Sequence, residues 1–239
     1  MTSRLTEVAG RWTELGETDP LWAALTDRGR GGRWESADFL ATGRAEIADV
    51  LALLDRRGLT PTLGTALDFG CGPGRLSAAL AHAGFARVLG VDVSPTMLAT
   101  ARTLVDDARC EFLHNPGPNL EAVATGTVDL VYSCRVLQHM PAELAHGYVR
   151  EFLRVVTPGG LVVFQLPAEP ASGPAGRAVA LLPAPVLNRL RRGMQMHATP
   201  AAAVTRLVAE CGGVTVSIEE DASAGPRWRS HLYVVHGKA

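Results

Sequence analysis

Apolar positions along the chain change their period near residue 65. Before that point the spacing is helical. In 44-RAEIADVLALLDRRG-58, Ile47, Val50, Leu51 and Leu54 fall on one helical face, and Gly58 and Pro61 end the run. The basic stretch 28-RGRGGR-33 reads as a flexible loop. After residue 65, short apolar runs alternate with helical ones. TALDF predicts a strand, GRLSAALAHAG a helix and RVLGVDV a second strand. SPTMLATARTLV predicts a helix with Ser94 as its N-cap and Pro95 in its first turn. CEFLH and TVDLVYS follow as strands, then AELAHGYVREFLRVV as a helix closed by 157-TPGG-160, then LVVFQL as a buried strand. This alternation predicts an α/β fold, a mostly parallel sheet with helices on both faces. Past the Pro/Gly/Ala-rich 167-PAEPASGPAG-176, a helix over TPAAAVTRLVAECGG leads to strands VTVSIEE and HLYVVHG. No long helix separates these two, so they predict an antiparallel edge.

Composition narrows the picture. The chain has 239 residues, 47% hydrophobic and 20% charged, with a formal net charge of −1. That size supports one α/β domain with a small accessory segment. The reading is a helical cap over 1–60 and a main domain over 61–239, with 168–199 as a variable insertion at the substrate side. A near-neutral balance gives no general attraction to nucleic acid or to an acidic membrane. No apolar run is long enough to span a bilayer, and MTSRLTEVAGRW has no secretory apolar core. Cys71, Cys110, Cys134 and Cys211 are scattered without a CxxC pair, which fits a reducing cytoplasmic setting and predicts no metal site.

The chemistry concentrates in 66-ALDFGCGPGR-75. Gly70, Gly72 and Gly74 sit at a strand-to-helix junction, where an open parallel sheet binds ligands. The dinucleotide fingerprint is G-x-G-x-x-G; here the spacing is shorter, and Pro73 removes a donor that a pyrophosphate would use. Asp68 suits a cationic neighbour better than a phosphate. Asp92 in 90-GVDVSPTML-98 ends the second strand, where a carboxylate accepts ribose hydroxyls; NAD enzymes share that feature.

ALDFGCGPGR, VDVSPTML, VDLVYS and LRVVTPGGLVVFQLP together resemble the successive motifs of class I S-adenosylmethionine-dependent methyltransferases. The resemblance covers roughly residues 62–167. It implies a Rossmann-like, doubly wound sheet of seven strands with the last antiparallel, and S-adenosyl-L-methionine as cofactor. It implies that Asp68 and Gly70 face the methionine part, and that Gly72 and Gly74 allow close backbone approach. Asp92 would meet the ribose diol, Met97 the adenine, and Ser133 and Arg135 the methionine side, with Val93 also in contact with the cofactor. Where the family often has an acid for the adenine amino group, this chain has HNPGPNL, so Asn115 is the nearest candidate.

His139, in 133-SCRVLQHMP-141, stands where an acceptor would lie, as general base or as a pocket-shaping residue. Gln138, His197, Trp34 and Phe39 are the remaining acceptor-side candidates, the last two as part of an N-terminal lid. Cys71 reads as a small residue that fits the loop. Arg30, Arg33, Arg189, Arg191 and Arg192 read as surface charge. The place after the fourth strand holds SCRV where amino methylation of nucleic-acid bases would need Asn/Asp-Pro-Pro-Tyr/Phe. The expectation is a methyltransferase acting on O or N of a small molecule, with a place in secondary metabolism. An NAD-dependent oxidoreductase and a non-catalytic module that binds S-adenosylmethionine stand as alternatives.

Overall fold

The computed structural model describes residues 2–31, 33–171, 173 and 195–238. Residue 172 and residues 174–194 of the expected insertion lie outside that description, and Arg189, Arg191 and Arg192 with them.

Helices α1 (Thr2–Thr18), α2 (Pro20–Ala24) and α3 (Ser36–Arg56) precede the sheet. The Asp19 side chain caps α2 by accepting the Trp22 N–H. Helix α3 begins eight residues before the run that sequence periodicity marked. Its first turns hold 36-SADFLATG-43, whose only buried large apolar residue is Phe39, so the repeat there is weak. From β1 (Thr65–Phe69) the order is α4 (Arg75–His82), β2 (Arg87–Asp92), α5 (Pro95–Leu104), β3 (Cys110–His114) and β4 (Val128–Ser133). A single 3₁₀ turn at Leu137–His139 precedes α6 (Ala142–Val155) and β5 (Val156–Pro170). Helix α7 (Ala201–Glu210), β6 (Val214–Asp221) and β7 (Trp228–His236) complete the described chain.

The seven strands lie in the order β3-β2-β1-β4-β5-β7-β6. Pairs β1–β2, β1–β4, β2–β3 and β4–β5 are parallel. Strand β7 runs antiparallel to both β5 and β6. The last strand therefore inserts between β5 and β6, and β6 forms the edge. The 157-TPGG-160 stretch ends α6 as expected but stays within β5. The register against β4 jumps there from Val128↔Val156 to Leu130↔Leu161, so these residues form an irregularity inside a strand.

Alternation along the central strands sends side chains to two cores. One face joins Phe69, Phe152, Phe164 and Tyr233 to α6 and α7. The other joins Tyr132, Val163 and Val234 to Ile47, Val50 and Leu54 of α3 and to α4. Full burial of each large apolar side chain contributes roughly 1.5–3 kcal/mol. These two cores fix the carboxyl ends of β1, β2 and β4 relative to one another.

Candidate active site

After Phe69 the chain turns through Gly70 and Gly72, at φ +74 and +50. The Gly70 and Cys71 N–H groups both donate to Val91 O, at 2.7 and 3.1 Å. Gly72 N–H donates to Asp92 Oδ2 at 2.9 Å, and Ser94 N–H to Asp92 Oδ1 at 2.8 Å. The loop is thus tied to the end of β2. A Cβ on Gly70 would meet Val136 Cγ2 and Cγ1 at 2.3 and 2.4 Å, while one on Gly72 would meet only Ala24 Cβ, at 3.7 Å. The first glycine is needed for packing. The second keeps a cradle open.

A cavity of about 600 Å³ opens over this loop. One end is walled by Gly70–Gly72, Asp92, Val93 and Met97. The other is walled by Arg135, Gln138 and His139 after β4, and by the β6–β7 connection over residues 222–227. Helices α1 and α2 cover it through Val8, Trp12 and residues 23–24, continued by 25–27. The Trp12 ring meets His139 edge-on, centroids 5.1 Å apart.

Burial governs the titrating groups. It pushes the Asp68 carboxyl up to about 7, against the Ser77 hydroxyl that donates to Oδ2 at 2.7 Å. Asp68 Oδ1 has no hydrogen-bond partner among the described residues. Burial also raises Asp92, opposed by its backbone N–H donors. For Glu46 burial again works upward, but Arg75, Arg135 and Tyr132 together hold it below its ordinary value. Arg75 pairs with it at 2.8 Å, Arg135 at 3.3 Å, and the Tyr132 hydroxyl donates at 2.9 Å. Burial takes the Cys134 thiol up to about 12 and the Cys71 thiol well above its ordinary value, so neither is an activated nucleophile.

The structure brings Gly70, Gly72, Asp92, Val93, Met97, Asn115, Arg135, Gln138 and His139 to the cavity wall. Asn115 is held by Nδ2 donating to Gly117 O at 3.0 Å. Asp68, Gly74 and Ser133 stand behind the wall. Gly74 packs against Val105, Phe112 and Ala101. The Ser133 hydroxyl donates to Phe69 O at 3.1 Å between β4 and β1, and Ser133 is not among the residues that line the cavity. Trp34 and Phe39 are corrected. They form a separate packed cluster with Leu25, where Trp34 Nε1–H donates to Leu25 O at 2.9 Å. Trp12 and the α2 residues take the covering position instead. His197 is also outside the wall; its backbone N–H donates to Gln138 O at 2.8 Å, and Met196 lines the cavity.

Sequence reasoning missed Glu46, Arg75, Gln165 and the β6–β7 connection. Arg75 directly follows the glycine loop, and its buried charge demanded a buried acid. Nothing local in the sequence pointed to Glu46 as that acid.

A seven-stranded sheet with this order, an antiparallel seventh strand and a glycine loop tied to an acid on β2 defines the class I S-adenosylmethionine-dependent methyltransferase fold. Residues 66–160 match the family model described as "Methyltransferase domain". The chain is similar to a trans-aconitate 2-methyltransferase of Azoarcus sp., 31% identical over 172 residues, 71% of this chain and 64% of that protein. It is also similar to a ubiquinone biosynthesis O-methyltransferase of Methylobacterium sp., 38% identical over 109 residues, 45% of this chain and 43% of the other. It thus spans less than two thirds of the length of each. Among solved structures, magnesium protoporphyrin IX methyltransferase from Synechocystis, with bound S-adenosylhomocysteine, superposes with a TM-score of 0.66 at 20% identity, covering 98% of this chain and 99% of that one. That likeness concerns the fold.

Proposed function

We propose that this chain is an S-adenosylmethionine-dependent methyltransferase that moves a methyl group to an O or N of a small molecule. The observation that carries the reading is the joined pair of motifs at one end of a two-ended cavity. Gly72 and Asp92 share a hydrogen bond at 2.9 Å, and the opposite end is built from separate elements. The named relatives support a small-molecule acceptor, since they are a trans-aconitate and a ubiquinone-pathway methyltransferase. A place in secondary metabolism is a further part of the proposal. Among the described residues no helix is long and apolar enough to cross a membrane, and no three His, Cys, Asp or Glu side chains group as metal ligands.

The residues fit the cofactor. A Cβ at Gly72 has no backbone in its way, so the space above it is available to a ligand. Asp92 accepts one backbone N–H on each oxygen, which leaves lone pairs for a ribose diol. Met97 and Val93 supply apolar surface for the adenine, and Asn115 lies beside them. Bound S-adenosylmethionine supplies a methyl group already activated on a positively charged sulfur. The chain's own task is then to align an acceptor and exclude water. Arg135 meets the methionine side of the cofactor, and Gln138 orients the acceptor. Helices α1 and α2, with Trp12, close the cavity from solvent. His139 takes the acceptor's proton where the acceptor must lose one.

An NAD-dependent oxidoreductase is disfavoured by the shortened glycine spacing and Pro73. A purely binding module is disfavoured by the second end of the cavity. Calorimetric titration with S-adenosylmethionine, S-adenosylhomocysteine and NAD tests the cofactor. Binding of the first two without NAD is expected, and binding of NAD alone would overturn the reading. Transfer of labelled methyl groups into a panel of small hydroxy, carboxy and amino compounds tests the reaction.

A further inference from the structure

Four side chains and two backbone groups form one hydrogen-bonded chain that ends at the cavity. Gln165 on β5 is fully buried. Its Oε1 accepts the Arg135 N–H at 3.1 Å. Its Nε2 donates to Ser230 Oγ at 2.5 Å and to Gln138 Oε1 at 3.2 Å. Gln138 Nε2 lies 3.1 Å from His139 Nε2, and His139 Nδ1 lies 2.8 Å from the Gln195 carbonyl oxygen.

The orientation of an amide and the tautomer of an imidazole are set by their partners. Here both ends have fixed polarity. The Arg135 N–H only donates, so the Gln165 atom facing it is the oxygen. Gln165 then presents its NH₂ to Gln138, which must answer with Oε1. Gln138 in turn presents its NH₂ to His139. The Gln195 carbonyl only accepts, so Nδ1 carries the imidazole proton. Reversing either amide sets two donors or two acceptors face to face at a buried site and leaves each of those groups unsatisfied. Arg135 is itself in the left-handed region, at φ +62. Such backbone needs surrounding structure to hold it, and the Gln165 acceptor supplies part of that support.

We infer that Gln165 is a positioning residue: through Gln138 it fixes His139 as the Nδ1–H tautomer, with Nε2 unprotonated and accepting the Gln138 N–H. The same chain registers Arg135 against His139. Its consequence for turnover rests on the reading of His139 as the proton acceptor, in which the acceptor molecule displaces the Gln138 N–H from the single Nε2 lone pair; the tautomer itself does not.

Nitrogen-15 NMR of the imidazole at pH 8 tests this, with the His139 signals assigned by their loss in His139→Ala. The wild-type protein should show a protonated Nδ1 and an unprotonated Nε2. A proton found on Nε2 would overturn the inference. Gln165→Glu puts an acceptor-only group against Gln138. The Gln138 amide should turn its NH₂ toward it and its oxygen toward His139, so that Nε2 becomes protonated while Nδ1 keeps its proton on the Gln195 carbonyl, and the ring carries both. Turnover at pH 8 should then fall at least about tenfold. Gln138→Glu, which faces Nε2 directly with an acceptor, should protonate Nε2 in the same way and guards against a Gln165 variant that fails to fold. Wild-type ring signals in either folded variant would refute the positioning role, because a merely structural residue would alter stability and leave the tautomer alone. A ring protonated at Nε2 with unchanged turnover would uphold the positioning role and remove His139 as base.

Discussion

Gly72 N–H and Asp92 Oδ2 lie 2.9 Å apart, so residues 20 positions apart in sequence form one unit of the cavity wall. The carboxylate organises the loop as well as facing the cavity. Asp92→Ala should therefore lower S-adenosylhomocysteine affinity by about 10–100-fold, from the loss of charged hydrogen bonds worth roughly 1.5–3 kcal/mol. Calorimetry checks this. Unchanged affinity would remove Asp92 from the site.

The two glycines at the loop should fail in different ways. Gly70→Ala places a methyl against Val136 in a left-handed backbone. Its main effect should be on folding, with a loss of roughly 1–3 kcal/mol. Gly72→Val meets no protein atom so closely and points into the cavity, but at φ +50 it also strains the backbone. It should lose roughly 1–2 kcal/mol of stability from that strain and bind no cofactor. Urea unfolding and ligand titration of both variants separate the cases, and equal behaviour would contradict the distinction.

Asp68 gives a pH signature. Burial lifts its carboxyl from the ordinary 3.8 to about 7. The folded state thus holds this proton more tightly than the unfolded chain. Its contribution to stability is full below pH about 3.8, is lost as pH rises toward 7, and is constant above. Asp68→Asn removes that loss. The variant's stability relative to wild type should rise by roughly 1–3 kcal/mol between pH 5 and pH 8. Denaturant unfolding at the two pH values measures it, and a pH-independent difference would argue against a buried, proton-binding Asp68.

Glu46 holds two arginines at the cavity. Arg75 is 6% exposed and lies 2.8 Å from the Glu46 carboxylate. Glu46→Ala leaves that guanidinium buried without its partner, and should cost about 3–5 kcal/mol. A loss under about 1 kcal/mol would mean that water reaches the cluster.

His139→Ala should leave cofactor affinity within about twofold and lower turnover by about 10²–10⁴-fold if the imidazole moves a proton in the transition state. Methyl-transfer assays beside calorimetry read the two effects separately. Wild-type turnover would leave His139 a wall residue that packs on Trp12.

Much of the fold was legible locally. The period change near residue 65, the Ser94 cap with Pro95 behind it, and the terminal strand pair are signals carried within a few residues. The structure has Ser94 Oγ accepting the Met97 N–H at 3.3 Å. The glycine loop and Asp92 were legible for the same reason: each lies at a strand end, and position along an open parallel sheet fixes what a strand end faces. Trp34 and Phe39 were misplaced because an aromatic residue in a sequence looks alike whether it covers a ligand or a neighbouring helix. Only packing distinguishes the two, and here it turned both toward Leu25.

The sequence by itself determined the strand–helix alternation, the glycine turn and the acid that follows it, because backbone preference and hydrophobic period act between near neighbours. Tertiary structure decided which distant groups meet. Glu46 reaches Arg75 and Arg135 across 29 and 89 residues, and Gln165 reaches Arg135 across 30. Buried charges and amides must find partners wherever the sheet order delivers them, and that order is a property of the packed whole.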